Sequence, residues 1–239
     1  MAITVIFFDA ADTLFEVRGT VGEIYSRSAL EHGIETDPAD LQASFTEALR
    51  SSPPLAFSGL SGETLARAER FWWFEVVRPV FEKKMSPEIL AACFDDVFRV
   101  FGRGEGWRLF PETRACLESL RHQYRLGIIS NFDSRLFGVL EDLGIDSFFE
   151  RVIISSRAGA AKPDPGIFET ALAAMNVAPT AALHVGDSLE HDVEGARKAG
   201  LKAILLDRRG RYAGLTDVRR ISRIDDLRST IDDFPPDSS

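Results

Sequence analysis

Cysteine is scarce in this chain, and the two that occur, Cys93 and Cys116, lie far apart with no cluster of histidines nearby. A disulfide framework requires several paired cysteines, and a thiolate zinc site requires cysteines and histidines at short spacing. Neither kind of site is therefore expected. The same cysteine usage favours a reducing, cytoplasmic environment.

Long apolar runs are also missing. Nowhere do roughly 18 consecutive apolar residues occur, and the N-terminus has no basic segment followed by an apolar stretch. We therefore expect neither a membrane-spanning segment nor an export signal.

Positive charge is in deficit, because 28 Lys and Arg residues stand against 37 Asp and Glu residues, for a formal net charge of −9. Nucleic acids and anionic membranes usually bind to broad basic surfaces. The expected partners are therefore small molecules or proteins, with no nucleic acid and no membrane. The composition leaves the oligomeric state open.

Short runs of β-branched and aliphatic residues are what the chain does contain, and they are typical of buried parallel strands. These runs are residues 4–8, 126–130, 151–155, 182–186 and 202–207. Segments with helical spacing lie between the last four runs. Strands that alternate with helices predict an α/β fold with a doubly wound, Rossmann-like parallel sheet.

Residues 16–107 have a different pattern, because four segments with helical spacing follow one another with no convincing buried strand between them. This pattern predicts an α-helical bundle, called the cap below, inserted into the sheet domain. The predicted division is therefore a catalytic core of residues 1–15 and 108–239 and a cap of residues 16–107. Trp72 and Trp73 lie on the third helical segment, and we expect the bundle core to bury at least one of them.

Polar residues follow four of the five predicted strands at their carboxyl ends. They are Asp9, Ser130 with Asn131, Lys162 and Asp187. In an open parallel sheet, ligands bind beyond the carboxyl ends of the strands. A carboxylate nucleophile, hydroxyl and amide donors, a cation and a further carboxylate suit phosphoryl transfer, which requires positioning of the phosphate and stabilisation of its charge.

Four segments resemble the motifs of the haloacid dehalogenase-like hydrolase superfamily, in the order in which the family has them: DAADTL, SN, KPDPGIF and GDSLEHD. Two further segments, PPLAFSGLSG and RFWW, are similar to the subgroup with a helical cap between the first and second motifs, which includes the human-type haloacid dehalogenase-like domain proteins. The resemblance implies a hydrolase, most often a phosphatase of small phosphorylated metabolites.

The resemblance also implies a role for each matched residue. Asp9 would attack phosphorus and become a transient aspartyl phosphate. Ser130 and the Asn131 amide would hold phosphate oxygens. Lys162 would reduce the repulsion between the phosphate and Asp9, so that Asp9, Ser130 and Lys162 form the implied catalytic group.

Mg²⁺ is the cofactor that the resemblance implies. Its ligands would be the Asp9 carboxylate, the backbone carbonyl of Ala11 and Asp187, and Asp192 would either bind the ion or hold its ligands in place.

Two histidines lie near the fourth motif. Because Mg²⁺ prefers oxygen ligands, His191 is expected to be an exposed residue rather than a ligand, and His184 a packed strand residue.

One position departs from the family pattern. Phosphatases of the family carry a second Asp two residues after the nucleophile, where it protonates the leaving group and later activates water, whereas this chain has Ala11. General acid–base catalysis typically contributes about 10²–10⁴-fold, so slow turnover of unactivated esters is expected. Asp12 replaces the usual Gly, and a loop-capping hydrogen bond is favoured for it over a substitute acid/base role.

Two alternatives to the phosphatase interpretation remain open at this stage. One is a 2-haloacid dehalogenase, favoured by overall likeness and by the missing acid at Ala11. The other is a catalytically weak member that binds a phosphorylated ligand or a protein partner. EDTA would abolish a Mg²⁺-dependent phosphatase activity and would spare a dehalogenase.

Overall fold

A parallel sheet forms the centre of the computed structural model, which describes residues 2–81 and 84–232. The described strands are β1 (Val5–Phe8), β2 (Phe15–Val17), β3 (Trp107–Leu109), β4 (Arg125–Ser130), β5 (Arg151–Ile154), β6 (Ala182–Gly186), β7 (Lys202–Leu206) and β8 (Arg220–Ile221). Six of them form one sheet in the order β5-β4-β1-β6-β7-β8. All five pairings in this sheet are parallel, which confirms the predicted α/β class.

Strand β1 lies inside the sheet, between β4 and β6, and all four of its residues are buried. Phe8 packs into the cluster on one face of the sheet, together with Leu117, and Phe7 packs into the cluster on the other face, together with Phe168. A strand covered by helices on both faces reads as a continuous apolar run rather than an alternating one. The five predicted strands are confirmed within one or two residues at each end, but β8 was not predicted.

Helices cover both faces of this sheet. They are α5 (Thr113–Leu120), α6 (Arg135–Asp142), α7 (Ser155–Ala158), α8 (Pro165–Met175), α9 (Gly195–Lys198) and α10 (Leu227–Asp232), with a π-helical turn at Leu189–Glu194 before α9. Asp164 caps α8 by accepting a hydrogen bond from the Gly166 N–H at 2.8 Å, as its place before Pro165 predicts. Across the described residues, no helix combines the length and apolar character that crossing a bilayer requires.

Four helices occupy most of the cap: α1 (Val21–Glu31), α2 (Pro38–Ser51), α3 (Gly62–Phe81) and α4 (Pro87–Val100). Thr20 and Glu23 form a capping box at the start of α1, as their three-residue spacing favours, and each side chain accepts from the other residue's backbone N–H. The helices enclose an apolar cluster of their own, in which Tyr25 stacks on Phe81 with ring centroids 5.4 Å apart. Trp73 packs against this cluster but is only half-buried, as is Trp72, so the cap core covers neither tryptophan completely.

A short antiparallel ribbon of β2 and β3 lies where the chain enters and leaves the cap. The sequence did not predict this ribbon, which lies at the two ends of the cap segment and not between its helices. Phe15 and Trp107 pack edge to face across the ribbon at 5.2 Å. Both predicted domain boundaries fall inside the ribbon, and the exact division into core and cap stays a prediction.

Candidate active site

The carboxyl ends of β4, β1 and β6, which are neighbours in the sheet, bring the predicted site residues together. Asp9 follows β1, Ser130 ends β4 and Asp187 follows β6. Because parallel strands all end at the same edge, these three residues meet although they are widely separated in sequence.

Asp9 lies at the centre of this group and is buried. Its Oδ1 atom accepts hydrogen bonds from Ser130 Oγ at 3.0 Å and from Lys162 Nζ at 2.7 Å. Its Oδ2 atom accepts none from the part of the chain that the structure describes. One carboxylate oxygen is thus fixed by two donors while the other is available to a ligand.

Lys162 bridges two carboxylates, because its Nζ atom also lies 2.5 Å from Asp192 Oδ1. Burial opposes the positive charge, but Asp192 and Asp9 raise the pKa of Lys162 to about 12. Lys162 is therefore a permanently charged group, and not a base, at neutral pH.

Asp192 uses both of its oxygens within the protein. Oδ1 contacts Lys162 and His184 Nε2, and Oδ2 accepts from the Ser188 N–H at 2.9 Å. Burial alone would raise the pKa of Asp192, but Lys162 and His184 hold it well below its usual range. This carboxylate is ionised and orients its neighbours.

His184 is packed in β6, as expected, and also contacts the site, which the sequence did not indicate. Burial lowers its pKa, against the effect of Asp192, so the ring is neutral at pH 7. Nε2 then donates to Asp192, and Nδ1 is an acceptor with no partner among the described residues. His191, by contrast, is exposed, as predicted.

Asp187 has the opposite electrostatic situation to Asp192. Burial raises its pKa to about 7, with further contributions from Asp9, Asp192 and Asp12, and Lys162 opposes the shift. The site thus holds more negative charge than its single lysine balances. A cation bound beside Asp187 would relieve this excess.

The donor set fits a hard divalent cation. Asp9, Asp187 and Asp192 each offer an oxygen atom, and these atoms lie within 4.8 Å of one another. Mg²⁺ takes oxygen ligands and commonly binds one or two carboxylates together with water and phosphate. Because both Asp192 oxygens already accept hydrogen bonds, Asp9 and Asp187 are the carboxylates best placed to bind the ion directly.

Asn131 joins the two loops that carry the polar groups. We call residues 131–134, which directly follow Ser130, the Ser130 loop. Residues 155–162, which comprise the short helix α7 and the chain up to Lys162, are called the Lys162 loop. The Asn131 side chain donates to the Lys162 carbonyl at 2.9 Å and accepts from the Lys162 N–H at 2.7 Å. Both ends of the side-chain amide are therefore engaged. The backbone N–H of Asn131, by contrast, has no acceptor among the described residues.

Ala11, two residues after Asp9, has only a methyl side chain, so position 11 supplies no acid to the site. The next residue, Asp12, has a φ of 59°, a left-handed conformation that Asp tolerates better than most residues. The expected capping bond is not found: among the described residues its carboxylate accepts no hydrogen bond, and Arg209 Nη2 lies 4.0 Å away. Asp12 and Asp187 instead line a shared cavity of about 110 Å³.

Comparison with known proteins identifies the family. The family model described as haloacid dehalogenase-like hydrolase matches residues 3–200. The chain belongs to this family. The four sequence motifs contain the residues that meet in this site, which are Asp9, Ser130, Lys162 and Asp187.

Relatives of this haloacid dehalogenase-like hydrolase support the same assignment. Human haloacid dehalogenase-like hydrolase domain-containing protein 3 is 33% identical over 210 residues, which cover 86% of this chain and 82% of the human protein. Glyceraldehyde 3-phosphate phosphatase of Pyrococcus abyssi is 34% identical over 214 residues, covering 84% and 80% of the two chains.

The fold also has solved counterparts. The HAD-hydrolase YfnB of Bacillus subtilis superposes with a TM-score of 0.71 at 19% identity, covering 97% of this chain and 99% of that one. At this identity the likeness concerns the fold alone, and it places the parallel sheet and the inserted helices in a known haloacid dehalogenase-like arrangement.

Proposed function

We propose that this haloacid dehalogenase-like hydrolase is a Mg²⁺-dependent phosphatase of small phosphorylated metabolites. The observation that carries the proposal is the environment of Asp9, a buried carboxylate with Ser130 and Lys162 on one oxygen and Asp187 within reach of a shared cation. Positive and hydrogen-bonding groups around a carboxylate nucleophile suit attack on a phosphate dianion.

In this proposal, Asp9 attacks phosphorus and the bond to the leaving oxygen breaks, which produces an aspartyl phosphate and a leaving oxyanion that takes its proton from solvent water. Lys162 and Ser130 orient Asp9, and Lys162 reduces the repulsion between the two anions. The Asn131 backbone N–H donates to a phosphate oxygen, and Ser130 Oγ, whose single proton goes to Asp9 Oδ1 in the free site, turns that proton to a phosphate oxygen when the substrate binds. Water then attacks phosphorus, releases inorganic phosphate and restores Asp9.

Asp9, Asp187 and the Ala11 carbonyl would hold the magnesium ion, and Asp192 would keep Lys162 and the loop after β6 in place. When bound, the ion supplies positive charge that offsets the phosphate dianion. No side chain at position 11 delivers a proton to the leaving oxygen. Turnover is therefore expected to be fastest for esters and anhydrides whose leaving group does not need one.

The substrate class is suggested by the phosphatase relative, which by its name acts on glyceraldehyde 3-phosphate. A panel of phosphorylated metabolites that includes this compound, assayed with Mg²⁺, tests the proposal. Asp9→Asn is the blank, because it keeps the shape of the side chain and removes the anionic nucleophile. We expect phosphate release that both Asp9→Asn and EDTA abolish.

Two results would contradict the proposal. Release of halide from 2-haloacids that persists in EDTA would favour the dehalogenase alternative. Tight binding of phosphorylated ligands without turnover across the panel would favour a binding role, to which the missing acid at position 11 also points.

A further inference from the structure

Helix α3 of the cap contributes a carboxylate to the core that the proposed reaction does not use. Glu69 is only 4% exposed, and its Oε1 atom accepts three hydrogen bonds. The donors are the Ser134 N–H at 3.1 Å, Ser134 Oγ at 2.9 Å and Ser156 Oγ at 2.6 Å. Within residues 2–81 and 84–232, no cation pairs with this carboxylate.

A buried carboxylate without a cation is costly unless its hydrogen bonds compensate, so the position of its donors is informative. Ser134 belongs to the Ser130 loop and Ser156 to the Lys162 loop. Glu69 therefore contacts both loops that carry the phosphate-facing groups of the proposed site.

The two loops are themselves connected behind Glu69. Ser156 N and Ser155 Oγ both donate to the Phe132 carbonyl, each at 3.3 Å. The paired hydrogen bonds between Asn131 and Lys162 complete the link. Hydrogen bonds and the chain itself therefore connect Ser134 and Ser156 to the residues beside Asp9.

A second polar contact joins the cap to the same place. Trp73, one helical turn after Glu69, donates from Nε1 to the fully buried Asp133 carboxylate. Arg135 forms a paired contact with Asp133 and lies over the Phe98 ring of α4 at 4.1 Å. The cap therefore holds the Ser130 loop at two consecutive residues, Asp133 and Ser134.

We infer that Glu69 is a positioning residue, which ties the cap to the Ser130 and Lys162 loops and so holds Ser130, Asn131 and Lys162 in the geometry that binds phosphate. The inference rests on the proposed function for its phosphate ligand. Its structural part, the restraint of two loops by one cap carboxylate, is measurable without any ligand.

Substitution at position 69 separates hydrogen bonding from charge. Because all three hydrogen bonds go to Oε1, Glu69→Gln keeps them on the amide oxygen, removes the negative charge and replaces the other oxygen with an N–H₂ group. Glu69→Met has similar length and removes every acceptor. Glu75→Met is the matched control, since Glu75 is an exposed glutamate of the same helix that pairs with Arg78.

The experiment measures two quantities in the full-length protein: the Kd for inorganic phosphate in the presence of Mg²⁺, and hydrogen–deuterium exchange at residues 131–134 and 155–158. For Glu69→Met we expect a Kd about tenfold higher, equivalent to about 1.4 kcal/mol. We also expect faster exchange in both segments. Glu69→Gln is expected to stay within about threefold of the wild-type Kd, and Glu75→Met to be unchanged in both measurements.

Unchanged exchange in both segments of a folded Glu69→Met protein would overturn the inference, as would an equal loss in Glu69→Gln and Glu69→Met. If the wild type binds no phosphate, the proposed function fails on that observation, and the exchange measurement alone decides the role of Glu69. Ser156→Ala removes one of the three hydrogen bonds and provides a milder test if Glu69→Met does not fold. Faster exchange at residues 155–158 supports the inference, and wild-type exchange there contradicts it.

Discussion

Ala11, two residues after the proposed nucleophile Asp9, limits the chemistry that this site can perform. In the proposed reaction, Ala11 leaves the leaving oxygen without a proton donor. Asp12 lines the cavity beside Asp187, but it adopts a left-handed φ of 59° and its carboxylate accepts no hydrogen bond from the described residues that would orient it. Lys162, with a pKa of about 12, cannot take over acid–base work at neutral pH without a large energetic cost. Under the proposed function, the site therefore holds a phosphate but lacks a residue suited to proton transfer.

Ala11→Asp is expected to raise kcat/KM for alkyl phosphates such as glycerol phosphate by about 10²-fold, the lower end of the range that general acid catalysis typically contributes. The p-nitrophenyl ester should change little, because its leaving group needs no proton. Ala11→Asn is the matched control, with the same shape and no acidic proton. Equal rates for Ala11→Asp and Ala11→Asn on alkyl phosphates would refute this account of position 11.

Asp187→Asn should stabilise the metal-free protein at neutral pH. The folded-state pKa of Asp187, about 7, lies above its ordinary value of 3.8. For a carboxyl group raised in this way, the stabilising contribution is complete below pH ~3.8 and is lost as the pH rises through ~7. In EDTA, the Tm of Asp187→Asn should therefore exceed that of the wild type by an amount that grows between pH 5 and pH 8.

Thermal unfolding scans measure this effect, and Mg²⁺ should reverse the order. Because the ion binds only the folded site, it should raise the Tm of the wild type but not that of Asp187→Asn. Asp146→Asn, at an exposed carboxyl group, should follow the wild type throughout. A Mg²⁺-dependent rise in the Tm of Asp187→Asn would show that the ion binds elsewhere.

At the scale of elements, helix boundaries depend on local capping that can be tested directly. Thr20→Ala removes the hydrogen bond from Glu23 N–H to Thr20 Oγ1, which is 3.1 Å long, at the first turn of α1. Loss of such a cap typically costs about 0.5–2 kcal/mol. Denaturant unfolding should show a loss in this range, and Thr20→Ser should retain most of the stability. No change in Thr20→Ala would mean that tertiary packing alone holds the start of α1.

Long periodic elements were predictable from the sequence, and short ones were not. β4 and α8 carry an apolar run or caps that identify them locally, whereas β8 has two residues and β2 and β3 have three each. Elements this short have no period to detect, and their pairing partners define them. The ribbon at the base of the cap was missed for this reason.

The same distinction applies to the candidate site. Asp9, Ser130 and Asp187 lie in motifs at strand ends, so their meeting follows from the sheet order, and Lys162 lies in the motif that follows β5 and α7. Glu69 carries no such signal, because its partners lie 65 and 87 positions away along the chain. Only the packing of α3 against the core reveals this contact.

At the scale of the whole molecule, apolar packing makes the cap and the core continuous. Val17 and Phe101 pack against both the cap cluster and a cluster of the core sheet. A series of aromatic contacts runs from Tyr25 through Phe101 to Trp107, with ring centroids 6.1 and 5.7 Å apart, and on to Phe132 at 5.8 Å. Together with the polar contacts of Glu69 and Trp73, this packing couples the cap to the loops around Asp9.

Cap and core are therefore expected to unfold in a single transition. Two of the three tryptophans lie on α3 and the third lies on β3, so tryptophan fluorescence reports on the cap and its base, while far-UV circular dichroism reports on all helices and strands. Coincident midpoints from the two probes would support one cooperative unit. Phe101→Ala, which interrupts the aromatic series, should lower both midpoints together. A fluorescence midpoint clearly below the dichroism midpoint in the wild type would show instead that the cap melts first and that the contacts at Phe101 are too weak to join it to the core.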